Sequence, residues 1–280
     1  MTKVLTLGWA CLDQRYYIEQ FPPTHSRTGV LRYREAIGGP AAVAAMALAR
    51  LGAEAHLVSR RGDDAAGERL QEMLEAERVR PHFQLGSATP VSAVLVTPDG
   101  ERYIFPYRPE LPDELVLNTE KLLKNADALL LDGRWASAGY GLGQAARERG
   151  IPVILDLDRD RDDDWMLTQV STHVVASEEL AQKKGGVDAL LAQLQALKVF
   201  AAVTLGAEGV AYVGGRVAAH KVHVRDTTGA GDVFHGAFTL AVAEGKGEVA
   251  ALEFAAAVAA LHCANAAPPR RAEVEAFLEN

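Results

Sequence analysis

The stretch Asp226-Thr227-Thr228-Gly229-Ala230-Gly231-Asp232-Val233-Phe234-His235-Gly236 has residue types and spacing that could do chemistry. Gly-Ala-Gly lets the backbone turn tightly, and the apolar run at 237–243 is helical in pattern, so the first amides of that helix have no internal partner. Free amides at a helix start, reinforced by the helix dipole, favour an anion, and a glycine there lets a phosphate reach the backbone. Asp232 would then stand beside that anion, where its own charge is repelled. A carboxylate so placed is suited to take a proton from a hydroxyl that attacks the phosphate. Asp is also a favoured capping residue, so an ordinary turn with a helix cap is the other reading these residues allow.

Three further stretches could complete such a site. Asp13 ends Gly8-Trp9-Ala10-Cys11-Leu12-Asp13, which follows an apolar strand pattern at 4–7. Ligands of open parallel sheets gather beyond the carboxyl ends of strands, so Asp13 is placed to accept a hydrogen bond from a substrate hydroxyl, unless it only opens a turn. Gly38-Gly39-Pro40 leads into a helix pattern at 41–51, with proline in its first turn and Gly52 as its stop. Thr204-Leu205-Gly206-Ala207-Glu208-Gly209 closes a buried strand pattern at 201–205 and reads as a ligand-binding turn or as a plain hairpin turn.

The elements that must position these residues fall into two sets. Strands at 4–7, 55–59, 128–131, 153–157, 174–176 and 201–205 alternate with helices at 41–51, 68–76, 140–149, 179–183 and 188–197. That order predicts an α/β fold with a doubly wound, mostly parallel sheet flanked by helices, in one domain spanning 1–280. Residues 15–20 and 30–37 alternate polar and apolar, and 91–97 and 101–107 flank the turn Pro98-Asp99-Gly100. These strands predict a small discontinuous sheet, built from segments at about 14–37 and 91–107. It has no helices of its own, so one face must cover a substrate or a second subunit.

Composition narrows the partners. With 49% hydrophobic and 24% charged residues the 280-residue chain reads as an ordinary globular protein. Its net charge of -8 argues against nucleic acid and anionic membrane, both of which require a basic face, and leaves small molecules. Cys11 and Cys263 lack metal-ligand spacing and read as free thiols. The amino terminus reads as a first strand and not a signal peptide, and no apolar run stands out as membrane-spanning, so the expected location is the cytoplasm. Neither a GxGxxG after the first strand nor a Walker Gly-Lys-Ser/Thr is present, which disfavours dinucleotide dehydrogenases and P-loop NTPases.

The stretch from Asp226 to Asp232, followed by its apolar helix, resembles the C-terminal signature of the ribokinase-like (PfkB) carbohydrate kinases. Residues 38–52 resemble their N-terminal signature, and the likeness runs from Gly8 to the last helix. The resemblance implies a ribokinase-like fold using ATP and Mg²⁺. Asp232 would be the catalytic base, the amides of Gly229, Ala230 and Gly231 an anion hole, and Asp13, Gly38 and Gly39 the sugar contacts. Nucleotide would lie along Thr204, Gly206, Gly209 and Ser177, and the small sheet would be a lid that also pairs with its copy in a homodimer. Val43 stands where the family has a substrate-contacting Asn. Ser177 and Leu180 replace the ends of its Asn-x-x-Glu motif, which leaves the metal to Glu178, to water or to ATP. No monovalent-cation site is expected, because 261–269 lacks the family's glycine-alanine turn.

Within the family the chain looks nearest to the 6-deoxy-6-sulfofructose kinases. There a sulfonate is held by a basic residue near Arg27, by an Arg matching Arg134, and by an Asn for which this chain has Pro106. The expected activity is ATP-dependent phosphorylation of a primary hydroxyl, on an anionic ketohexose. A neutral-sugar kinase of the fructokinase or ribokinase type is the alternative. Val43 and Leu180 also raise a catalytically weak sugar-binding regulator.

Overall fold

The computed structural model describes residues 1–279. Along the chain, β1 (Lys3–Leu7), β2 (Cys11–Tyr17) and β3 (Arg32–Gly38) lead to α1 (Pro40–Arg50), β4 (Glu54–Gly62) and α2 (Ala65–Ala76). Next come β5 (Arg80–Gly86), β6 (Val91–Val96), β7 (Arg102–Tyr107), α3 (Thr119–Leu123), β8 (Ala128–Leu131), α4 (Ala136–Glu148) and β9 (Val153–Leu157). Then follow α5 (Asp162–Met166), β10 (His173–Ser177), α6 (Glu178–Lys183), α7 (Val187–Ala196) and β11 (Phe200–Thr204). The hairpin β12 (Val210–Tyr212) and β13 (Gly215–Val217) precedes α8 (Ala230–Ala243), α9 (Glu248–Asn265) and α10 (Arg271–Leu278).

A nine-stranded sheet runs in the order β13-β12-β11-β10-β9-β8-β1-β4-β5. It is parallel from β5 to β11, and β12 and β13 close one edge antiparallel. Parallel strands covered on both faces read as unbroken apolar runs, as in Ala-Leu-Leu-Leu of β8, where every residue is buried. Buried side chains from α1, α8 and α9 pack one face, and Leu142, Leu190 and Leu194 from α4 and α7 pack the other. The second, four-stranded sheet runs β3-β2-β6-β7, with β2 and β6 parallel. Both segments expected to form it do so.

Several boundaries differ from expectation. Asp13 is not in the loop after β1 but is the third residue of β2, opposite Ala36 and Ser92. Strand β5 has no counterpart in the expected order, and the β12–β13 hairpin realises the plain hairpin turn that 204–209 allowed. β5 is half-exposed and carries Pro81, and the hairpin strands are three residues each. Helix α4 begins at Ala136, ahead of the expected Tyr140, because Trp135 at its N-cap provides no side-chain cap to announce it. One helix, α9, is after all long and apolar enough to cross a membrane by length and composition. Half of it is buried inside the fold, where it packs along α8.

Helix α8 is seated by a close approach. A Cβ at Gly236 would lie 2.7 Å from the Ala44 carbonyl oxygen of α1, so only glycine lets the two helices meet at this depth. The Gly236→Ala variant should destabilise the protein by about 1–3 kcal/mol through overpacking, outweighing the gain in helix propensity. Urea unfolding would measure it, and a variant as stable as the parent would refute the packing argument.

Candidate active site

The site forms where the chain order in the main sheet reverses, between the adjacent strands β1 and β8. Asp132, directly after β8 and buried, holds three segments together here. Its Oδ2 accepts the amides of Trp9 at 2.7 Å and Ala41 at 3.2 Å, and its Oδ1 accepts the Arg134 amide at 2.9 Å. A side chain at Gly8 would occupy the same space, since a Cβ there would sit 2.0 Å from the Asp132 carboxylate. Gly38 leaves room in the same way for Asp13, whose Oδ1 would be 2.4 Å from an added Cβ. Gly39 has φ +91° and lies against the Trp9 carbonyl, so the paired glycines serve this convergence directly. Burial raises the Asp13 carboxyl above its ordinary range, against hydrogen bonds from Cys11 and Ser92 and the charge of Arg15.

The start of α8 faces this point. Gly229 is left-handed at φ 74° and no side chain caps the helix. The Ala230 amide turns back to the Thr227 carbonyl at 3.2 Å, and the first amide taken by the helix is that of Val233. The amides of Gly229, Gly231 and Asp232 make no hydrogen bond among the described residues, so the donor set differs from the expected one: Ala230 is already engaged. Val43 packs beneath, its Cγ1 3.2 Å from an added Gly229 Cβ. The position where the resemblance expects a polar sugar contact therefore supports the turn through apolar contact. Helix α9 secures the turn, with His262 Nε2 donating to the Thr228 carbonyl at 2.6 Å.

Asp232 retains some solvent contact, yet sits deep enough that its carboxyl is raised well above the ordinary carboxylate range. Burial is the main cause. The charges of Asp156, Asp132 and Asp158 add to it, and Arg134 opposes it. Asp156 is the one charged residue of buried β9, and its carboxyl is pushed up to about 6 by burial against the pull of His235. His235, one turn beyond Asp232, donates Nδ1–H to the Gly231 carbonyl at 2.7 Å. Its Nε2 lies 3.3 Å from the Val175 carbonyl and 3.5 Å from Asp156 Oδ1. Neither Asp156 nor His235 was singled out from sequence. A carboxylate inside an otherwise apolar strand was the available signal, but its partner is distant in the chain.

Arg134 is placed beside these carboxylates, though not as a free guanidinium. It forks onto both carboxylate oxygens of Asp158, Nη1 at 3.0 Å, and Nη1 also donates to the Asp132 carbonyl at 2.7 Å. Burial alone would lower its pKa, but Asp132, Asp158 and Asp156 outweigh it and raise it. The resemblance implies a guanidinium open to an anion, which this pairing corrects. Its partner lies on the next strand's exit, where sequence adjacency gives no hint. Arg27 is exposed in the loop between β2 and β3.

Further along the carboxyl edge, Ser177 and Thr204 are register neighbours on β10 and β11. Ser177 caps α6, its Oγ accepting the Leu180 amide at 3.2 Å, and Leu180 is core. Gly206, with φ +54°, is open to solvent. Gly209, at φ +91°, is pressed on β13, where a Cβ would meet the Val217 carbonyl at 2.1 Å. Gly209 is thus explained by the hairpin alone. Free amides at the head of α8 and an open edge past β11 suit the phosphates and body of a nucleotide. A magnesium cage does not form: no group of three or more His, Cys, Asp or Glu among the described residues could hold a metal, and Glu178 is exposed. A surface depression of about 650 Å³ around Lys121, Lys124 and Arg149 lies at the opposite, amino-terminal edge of the strands, away from this chemistry.

Residues 1–268 match the pfkB family carbohydrate kinases, and the chain belongs to that family: it is a phosphotransferase with the ribokinase-like fold. The ribokinase of Bacillus subtilis (strain 168) is 27% identical over 295 aligned residues, covering 99% of this chain and 100% of that protein. A provisionally named ribokinase structure from Agrobacterium tumefaciens superposes with TM-score 0.91 at 29% identity, covering 99% of this chain and 98% of that one. Arabidopsis thaliana ribokinase, complexed with ribose and ATP, gives 0.84 at 26% identity with full coverage of both chains.

Two outcomes test the arrangement around Asp232. Asp232→Asn should lower kcat by ~10²–10⁴ while ligands still bind, and near-normal turnover would remove Asp232 from the chemistry. A base works deprotonated, so a raised pKa moves the acidic limb of the kcat profile to higher pH. Asp156→Asn removes a neighbouring negative charge and should move that limb to lower pH; a limb that stays in place would show that Asp156 does not act on Asp232.

Proposed function

We propose that the protein transfers the γ-phosphoryl group of ATP to a primary hydroxyl of an anionic ketohexose such as 6-deoxy-6-sulfofructose, a 1-kinase reaction. The observation that carries the phosphoryl-transfer chemistry is Asp232, a carboxylate with raised proton affinity on the first turn of α8, next to amides with no partner. Asp232 accepts the hydroxyl proton as the sugar oxygen attacks phosphorus and ADP leaves. The amides of Gly229 to Gly231 steady the transferring group, with Ala230 first releasing Thr227. Asp13, backed by Gly38 and Gly39, accepts hydrogen bonds from sugar hydroxyls. Thr204, Gly206 and Ser177 border the nucleotide, and Gly209 only shapes the hairpin behind them. Mg²⁺ would be held by the ATP oxygens and by water, with Glu178 as the protein's outer contact, and would offset phosphate charge. Arg134 lies beneath the sugar and balances the carboxylates around it, while Arg27 approaches from the loop of the lid. The chain acts as one kinase domain, 1–280, with the four-stranded sheet as its lid.

A neutral-sugar kinase remains the second reading, favoured by the ribokinases among the relatives and by the Asp158 fork that occupies Arg134. ADP release measured against 6-deoxy-6-sulfofructose, fructose 6-phosphate, fructose and ribose separates the two. A clear kcat/KM preference for the anionic sugars is expected, and a preference for ribose or fructose would overturn the substrate class.

The lid is also proposed as a dimer contact. Tyr33, Phe105 and Tyr107 are about half exposed and belong to one face by strand alternation. Sedimentation at micromolar concentration should give a homodimer and Phe105→Glu should shift it to monomer. A monomeric parent protein would contradict the proposal.

A further inference from the structure

The inner face of the lid carries a charge arrangement that the lid alone does not satisfy. Strand alternation points Asp13, Arg15 and Tyr17 of β2 the same way, and the register sets Arg34 directly opposite Arg15. Arg102 of β7 shares this face through Val96, and its ion pair with Asp226 shows that the face meets the start of the α8 turn. Like charges directly opposite on neighbouring strands repel, with Cβ atoms roughly 4.5–5.5 Å apart.

The other arginines of this face have partners. Arg102 is bonded to Asp226, and Arg32 stacks on the Tyr17 ring at 3.7 Å. The side chains of Arg15 and Arg34 make no hydrogen bond or ion pair among the described residues, and the Arg15 Nε is buried with no partner. A buried, unpaired guanidinium nitrogen is costly, and here it sits across from a second cation. Asp13 and Asp226 both feel the charge of Arg15, which is bonded to neither. Four guanidinium groups on this face therefore meet two carboxylates.

We propose that Arg15 and Arg34 form the receptor for a tetrahedral oxyanion, a sulfonate or a phosphate, carried by the sugar and gripped from the lid. This inference rests on the anionic-sugar reading above. A guanidinium fork suits such an anion, and one ligand would both fill the buried Nε and relieve the cross-strand repulsion. It also supplies what Arg134, matched by Asp158, does not offer.

The test uses the full chain as Arg15→Gln, Arg15→Lys, Arg34→Gln and the double Gln variant. Inorganic sulfate should raise the Tm of the parent and lose that effect in the Gln variants. The kcat/KM ratio for 6-deoxy-6-sulfofructose over fructose should fall roughly ten- to a hundredfold in each Gln variant, with Arg15→Lys intermediate because charge survives without the fork. Without anion, the Gln variants should be no less stable than the parent. Losses that strike both sugars equally, with a matching rise in KM for ATP, would mean that the arginines serve the nucleotide phosphates and would overturn the inference. A parent that ignores anionic sugars overturns the substrate reading. A parent that prefers them, while the variants keep both the preference and the sulfate response, overturns this site alone.

Discussion

The structure depends on one buried carboxylate that accepts three backbone amides. Asp132 binds the chain leaving β1, the first turn of α1 and the turn after β8, at the only place in the sheet where strand order reverses around β1. Each of those amides would otherwise be unsatisfied in a closed region, which is expensive, so the three segments are committed to one geometry. The glycines around it follow from that commitment. Gly8 yields its space to the carboxylate, and Gly39 turns tightly against Trp9 so that α1 can start where its amide is needed. With α1 fixed, Gly236 fixes how deep α8 lies, and so where Asp232 and the free amides are presented.

That geometry concentrates negative charge. Asp132, Asp156 and Asp158 all raise Asp232 through a poorly solvated region, with the Arg134 guanidinium set against them and His235 3.5 Å from Asp156. The balance is uneven, which is why Asp232 holds a proton more tightly than an ordinary carboxylate. The four-stranded sheet has the reverse imbalance, with arginines in excess on the face that carries Asp13. The protein as a whole is acidic, so this split of charge between body and lid is a local property that net charge conceals.

Legibility in the sequence followed the range of the interaction. The turn from Asp226 to Asp232 was readable because glycine conformation, helix start and carboxylate are neighbours in the chain. The parallel strands were readable from runs such as Val153 to Leu157, and the lid from alternation around Pro98-Asp99-Gly100. What escaped depended on partners far apart. Asp156 and His235 meet across the sheet, and Arg134 is claimed by Asp158 at the end of the next strand. Asp13 reads from sequence as a loop residue but lies in β2, because the chain passes from one sheet to the other within Gly8 to Ala10, too few residues for a pattern to show. Gly209 carried a functional signal that the hairpin explains by itself.

The ion pair between Arg102 and Asp226 ties β7 of the four-stranded sheet to the first residue of the glycine-rich turn before α8, whose carboxylate also holds the Thr228 amide and hydroxyl at 2.7 and 2.6 Å. Burial opposes the charge on Asp226, but these bonds and the two lid arginines keep its carboxyl below the ordinary range, so the pair stays ionised at neutral pH. Both partners are about a quarter exposed, which leaves the pair open to screening. Ionic strength thereby becomes a handle on how firmly the four-stranded sheet is held to the turn before α8. Added salt weakens this link together with the Arg69–Glu35 pair that ties β3 to α2, so these two contacts between the four-stranded sheet and the body loosen in step.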